Sequence, residues 1–109
     1  MVTVPIKDEY AEVLTVFGNL ETAIDLALQR YTIEQITTKM AELRQRDVAY
    51  QTKYGLDYST FAQRAATDEK FIQRIETANK LWEVDLADWE FCHKGIEDWS
   101  RKLQSILLG

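Results

Sequence analysis

The strongest constraint on the fold is a run of apolar side chains spaced three and four residues apart, from Phe71 to Ile106, without a skip. One row of this repeat holds Ile75, Trp82, Trp89, Ile96 and Leu103, and the interleaved row holds Phe71, Ala78, Asp85, Cys92, Trp99 and Ile106. A period of 3.5 residues is typical of a helix whose seam packs against another helix. We therefore predict one long C-terminal helix that follows a cap at Thr67 and carries this heptad pattern.

The rest of the chain also favours helices, because it contains few residues that interrupt them. There are four glycines and one proline in 109 residues, and none lies between Asn19 and Gly55. One helix could span that interval, about 50 Å at 1.5 Å per residue. A break near Thr32 is favoured instead, because Thr32 and Gln35 fit a capping box. The predicted class is all-α, a helical hairpin or bundle with a short strand-like segment at residues 2–6.

Residues with short polar side chains mark the expected helix ends. Asp8 is predicted to cap a first helix that ends at Gly18 and Asn19, and a second helix begins near Leu20. Gly55 is expected to close the helix before it, and Asp57 to cap a short helix that contains Phe61. The break favoured near Thr32 divides the chain into segments 1–31 and 32–109.

The long seam needs a partner helix, and the sequence leaves its origin open. Residues 33–54 carry a second seam with one polar member, Asp47, and could fold back as a hairpin. Another chain could also cover the seam. A helix of about 40 residues is longer than a partner of about 22 residues, so we expect a homodimer or a higher homo-oligomer.

The composition limits the function. The net charge is -5, which is unfavourable for binding nucleic acid. A single cysteine excludes an internal disulfide, and no apolar run is long enough to cross a membrane. No leader is visible, so a cytoplasmic location is expected. No spacing indicates a catalytic group, a cofactor or a metal site, and we expect a protein that is not an enzyme.

Two features on the long helix invite a chemical interpretation. Cys92 occupies a seam position without a base to activate it, so it is interpreted as a buried packing residue. Asp85 and Asp88, with Glu83, are interpreted as a solvated acidic face. Asp85 and Asp47 also stand at seam positions, where a polar residue can fix register or partner, unless the seam opens to water there. If Asp85 fixes register, Asp85→Leu should raise stability and loosen the choice of oligomer.

The seam of the long helix is the predicted partner-binding surface, because tryptophan is common among the residues that dominate protein interfaces. The residues assigned to it are Trp82, Asp85, Trp89, Ile96, Trp99 and Leu103.

The first 31 residues resemble the ribbon-helix-helix family. The match consists of the strand-like residues 2–6, a helix from Lys7 or Asp8, the turn at Gly18 and a second helix from Leu20. The resemblance implies a dimerisation segment whose Thr3 and Lys7 face DNA. Because this segment holds five acidic and two basic residues, phosphate binding is disfavoured. A dimeric DNA-binding regulator is therefore the alternative function.

Residues 53–61 (KYGLDYSTF) and 82–90 (WEVDLADWE) are similar to those of small helical antitoxin-like proteins of prokaryotic toxin–antitoxin loci. The resemblance implies a protein without catalytic residues that masks a toxin. A basic toxin suits the acidic charge. It also implies that residues 32–109 form the partner-binding hairpin, so the leading interpretation is an antitoxin-like interaction protein.

Overall fold

The structure, a computed structural model, describes residues 1–109 as five helices without a β-strand. The helices are α1 (Asp8–Val16), α2 (Leu20–Tyr54), α3 (Tyr58–Thr67), α4 (Glu69–Ala78) and α5 (Trp82–Leu108). The all-α prediction is confirmed. The strand-like segment at residues 2–6 is not shown, and a lone strand would have no second strand to pair with in one chain. None of the five helices combines the length and the hydropathy of a membrane span.

The N-cap of the first helix lies one residue before the predicted cap. Lys7 occupies the N-cap position with an extended backbone and no side-chain hydrogen bond, so Asp8 lies inside the first turn. An acidic side chain there still interacts favourably with the helix dipole. The helix ends before Gly18, whose φ of 136° favours glycine. The side chain of Asn19 then accepts a hydrogen bond from the backbone N–H of Thr22 at 3.2 Å and caps α2.

The predicted break at Thr32 is wrong, because α2 is continuous through residue 32. A capping box stabilises a helix start only where the preceding backbone leaves the helix, and no glycine or proline forces that departure here. The helix ends as predicted at Gly55, which has a positive φ of 71°.

Aspartates cap both short helices. The carboxylate of Asp57 accepts from the backbone N–H of Thr60 at 2.7 Å, as the sequence predicts. The cap of α4 is Asp68 rather than Thr67, and its carboxylate accepts from the N–H of Phe71 at 3.1 Å. The Thr67 hydroxyl instead donates to the carbonyl of Gln63 in the preceding turn.

The prediction of a single long C-terminal helix is wrong, because the chain leaves the helical conformation at Asn79 between α4 and α5. Asn79 has an extended backbone, and its side-chain oxygen accepts from the backbone N–H of Leu81 at 3.0 Å. Asparagine competes for backbone hydrogen bonds in this way and so favours helix ends over helix interiors. The heptad spacing continues on both sides of the break, so the spacing of apolar residues gives no sign that the helix ends there.

The contacts within the chain group it into two units, Met1–Gln35 and Ile36–Gly109. All eight buried apolar residues belong to the second unit: Ile36, Met40, Leu43, Phe61, Phe71, Trp82, Trp89 and Cys92. Trp89, Phe61 and Cys92 are fully shielded from water. The core is therefore built where α3, α4 and α5 meet the C-terminal part of α2.

Within this second unit, α2 and α5 run antiparallel. Lys53 of α2 pairs with Asp85 near the start of α5, and Leu43 lies against Gly95 ten residues further along α5. A Cβ atom on Gly95 would lie 2.9 Å from Cδ1 of Leu43, so the glycine leaves room for the Leu43 side chain against α5. The structure thus shows the hairpin that the sequence left as one of two possibilities. The predicted helix lengths are wrong, because α5 has 27 residues rather than about 40 and α2 has 35 rather than about 22.

The first unit has no buried residue. Its apolar side chains reach only partial shielding, at Ala11 and Leu14 of α1 and at Leu20, Ala23, Ile24 and Ile33 of α2. Met1–Gln35 is therefore helical without a core of its own.

Candidate partner-binding surfaces

The carboxylate of Asp85 is the centre of a polar cluster on the α2–α5 contact. Its Oδ2 accepts from Lys53 Nζ and from the Tyr54 hydroxyl, both at 2.6 Å, and from Asn79 Nδ2 at 3.1 Å. Partial burial raises the pKa of this carboxyl, but the hydrogen bonds outweigh that effect, so the pKa of Asp85 lies below its usual range. The carboxylate thus holds the end of α2 against the start of α5.

Asp88 repeats the arrangement one turn later. It accepts from the guanidinium of Arg46, and its second oxygen accepts from the Tyr50 hydroxyl at 2.6 Å. In the reverse direction, Asp47 of α2 accepts from the indole N–H of Trp89 at 2.5 Å. Asp47 and Asp85, the polar members of the two seams, are therefore each bonded to the opposite helix.

These carboxylates alter the titration of the tyrosines that donate to them. The hydrogen bond to Asp88, followed by burial, raises the pKa of Tyr50 well above its usual range. Burial and the hydrogen bond to Asp85 raise the pKa of Tyr54 to about 12. Each hydroxyl retains its proton because the neighbouring negative charge disfavours a phenolate.

The predicted acidic face at Asp85 and Asp88 needs correction, since both carboxylates are engaged by α2. The side chain of Asp85 is only 17% exposed. Cys92 is fully buried, as expected for a packing residue, and burial raises the pKa of its thiol. A thiol with a raised pKa forms less thiolate and is a poorer nucleophile.

Aromatic rings fill the space behind the polar pairs. Trp89 lies 5.4 Å from Phe61, 5.6 Å from Tyr50 and 5.8 Å from Tyr58, measured between ring centroids. Phe61 in turn contacts Phe71 at 5.4 Å in an edge-on arrangement. Such contacts contribute about 0.5–1.5 kcal/mol each beyond the area that they bury. Tyr58 and Phe61 come from one resemblance segment and Trp89 from the other, so both segments belong to one core.

The predicted partner-binding residues divide into two groups. Trp82 and Trp89 are buried inside the chain, and Asp85 is bonded to α2, so none presents its functional group to a partner in this fold. The others are half-buried: Ile96, Trp99 and Leu103. Lys102 lies over the ring of Trp99, with its Nζ 4.4 Å from the ring centroid. Packing of α3, α4 and the end of α2 against the first half of α5 explains this division.

A different face of α5 is open, and the sequence analysis missed it. We call it the α5 stripe; it consists of Leu81, Val84, Ala87 and Phe91, all exposed. Their spacings of three, three and four residues place them on one side of the helix. That spacing was readable in the sequence, but the longer heptad rows obscured it. Glu83 and Glu90 immediately precede Val84 and Phe91, so carboxylates flank the stripe.

The second open surface belongs to the unit Met1–Gln35. Eleven large apolar side chains are exposed there: Met1, Val2, Val4, Ile6, Tyr10, Val13, Val16, Phe17, Leu26, Leu28 and Tyr31. Thr3 and Lys7, the predicted DNA-facing residues, are exposed as well. In Met1–Gln35, acidic residues outnumber basic ones by six to two.

Cavities and charged clusters give little indication of a small-molecule site. One groove of about 620 Å³ along α4 is lined by polar and charged side chains: Asp68, Lys70, Gln73, Arg74 and Thr77. Ligand pockets are usually lined by apolar and aromatic side chains. No group of three or more His, Cys, Asp or Glu side chains is arranged to hold a metal ion.

Comparison with known proteins adds no relative. No family model matches the chain, and neither a curated protein nor a solved structure matches it.

Proposed function

We propose that this chain is a non-enzymatic, antitoxin-like interaction protein that binds a basic protein through α5. The observation that carries the proposal is the α5 stripe. One side of α5 fills the core, while Leu81, Val84 and Phe91 remain 59–65% exposed on another. Contiguous apolar patches of this kind on a folded surface are often binding sites.

The charge around the stripe favours a cationic partner. Glu90 is paired with Lys94 at 2.7 Å, but no cation lies within ion-pair distance of Glu83. The whole chain carries a net charge of -5. Carboxylates at the edge of an apolar patch attract a basic partner and help to orient it, while the apolar contacts supply most of the affinity.

The antitoxin-like form of the proposal has support from the two resemblance segments. Lys53 and Tyr54 from the first segment bond to Asp85 from the second, and Phe61 packs on Trp89. Both segments thus contribute to the hairpin that holds the α5 stripe in place.

A growth assay tests the proposal. The product of the neighbouring gene is expressed alone and together with this chain. We expect growth arrest in the first case and recovery in the second. The double variant Val84→Glu/Phe91→Glu should lose the recovery, because it puts charge into the apolar contact.

Leu107→Glu is the matched control, since Leu107 lies on the same helix and is as exposed as Phe91, at 58% against 59%. It should restore growth as the parent chain does. Circular dichroism should show that all variants keep their helices, because each altered side chain is exposed. The proposal would be overturned if the product of the neighbouring gene did not arrest growth, or if the double variant restored growth fully.

A further inference from the structure

The unit Met1–Gln35 lacks what a stable helical unit needs. Its helices are formed, yet no side chain is buried, and eleven large apolar side chains are 43–123% exposed. Isolated helices as short as the nine residues of α1 are marginal in water, so their stability must come from packing. The surface that this packing requires is therefore not complete in one chain.

The arrangement of charge and apolar groups on α1 favours self-association. Tyr10, Val13 and Phe17 follow helical spacing along one face, while Asp8 and Glu12 lie on a separate face. An apolar face is self-complementary under a two-fold axis. The acidic side chains can remain in water when two such faces meet, so the like charges do not have to be buried.

The total exposed apolar area of the unit is of the size that a dimer interface needs. Eleven large apolar side chains at these exposures present on the order of 1,000 Å², comparable with the roughly 800 Å² that each partner contributes to a standard stable interface. The acidic balance of the unit also disfavours an anionic membrane surface as the alternative occupant.

We propose that a second copy of this chain covers the apolar surface of Met1–Gln35, so that the protein dimerises through α1 and the N-terminal part of α2. This inference does not depend on the proposed function, because it concerns a different surface and no other partner.

Sedimentation equilibrium of the purified full chain tests the inference. A dimer is expected. Val13→Glu/Phe17→Glu should raise its dissociation constant by about tenfold or more, which corresponds to a loss of 1.4 kcal/mol or more in binding free energy. The matched control, Val48→Glu, changes a valine that lies in the other unit and is 56% exposed, close to the 59% of Val13. It should leave the dimer unchanged.

The salt dependence distinguishes a second copy from a basic ligand. Raising the salt concentration from about 0.1 M to 1 M shortens the Debye length from about 10 Å to about 3 Å. Screening of the like-charged acidic edges should then strengthen the dimer, whereas a complex with a cationic protein would weaken. A chain that remains monomeric at all concentrations overturns the inference, as does a dimer that Val84→Glu/Phe91→Glu breaks and Val13→Glu/Phe17→Glu does not. Neither result affects the growth assay.

Discussion

The two units of this molecule are built from the same secondary structure, but only one of them has a core. Helix α2 contributes to both: Ile36, Met40 and Leu43 of its C-terminal part are buried, while residues 20–35 contain no buried side chain. Both units have capped helices and apolar residues at helical spacing. The difference shows that amphipathic helices are necessary for a core, and that a second covering surface decides whether one forms.

The largest expected effect comes from a matched pair of phenylalanines. Phe61→Ala should lower the free energy of unfolding by about 3–5 kcal/mol, because Phe61 is fully buried among aromatic rings. Phe17→Ala, at a residue that is 79% exposed, should change it by less than about 0.5 kcal/mol in dilute monomer. Guanidinium unfolding followed by far-UV circular dichroism measures both. Equal losses would contradict the contrast between the units.

A medium effect is expected at the polar contact between α2 and α5. From the sequence, Asp85→Leu was expected to raise stability. The structure reverses this expectation, because the leucine would leave Lys53 and the Tyr54 hydroxyl without their acceptor. We expect a loss of about 1–3 kcal/mol in unfolding free energy. The exposed Asp25→Leu, in the coreless unit, is the control; a gain in stability at Asp85→Leu would restore the original interpretation.

The smallest effect concerns alkaline pH. The pKa of Tyr54 is raised to about 12 in the folded chain, against about 10 for a free tyrosine. The folded state therefore holds this proton more tightly, and the stability it contributes is full below pH 10 and declines as the pH rises towards 12. Tyr54→Phe should flatten this part of the unfolding profile, and Tyr31→Phe in the other unit should leave it unchanged. An unaltered alkaline decline in Tyr54→Phe would remove the role given to its hydroxyl.

The sequence predicted that most of the chain is helical, but it misplaced some of the positions where one helix ends and the next begins. Local signals were sufficient where one side chain decides the end, as at Asp57 and Gly55. They failed at Asn79, because a seam that continues across a loop looks the same as a seam along one helix. They also failed at Thr32, where a local capping pattern competes with a helix that simply continues.

The candidate site was harder to predict for a tertiary reason. Trp89 looked like an interface residue, and only the fold shows that α3 and α2 have already covered it. Asp85 and Asp88 looked solvated because their partners lie more than 30 residues away in the chain. Which face of an amphipathic helix stays exposed depends on which elements pack against its other faces. The spacing of residues along the helix does not contain that information.

The distribution of tryptophan gives the molecule an internal reporter. All three indoles, Trp82, Trp89 and Trp99, belong to α5, and the unit Met1–Gln35 contains none. Tryptophan fluorescence, excited at a wavelength that tyrosine does not absorb, therefore follows the melting of the C-terminal unit alone, whereas circular dichroism follows the helices of both. If a partner orders the N-terminal helices, the ellipticity should change while the tryptophan emission spectrum stays the same. Two routine measurements can therefore monitor the two units separately without any label.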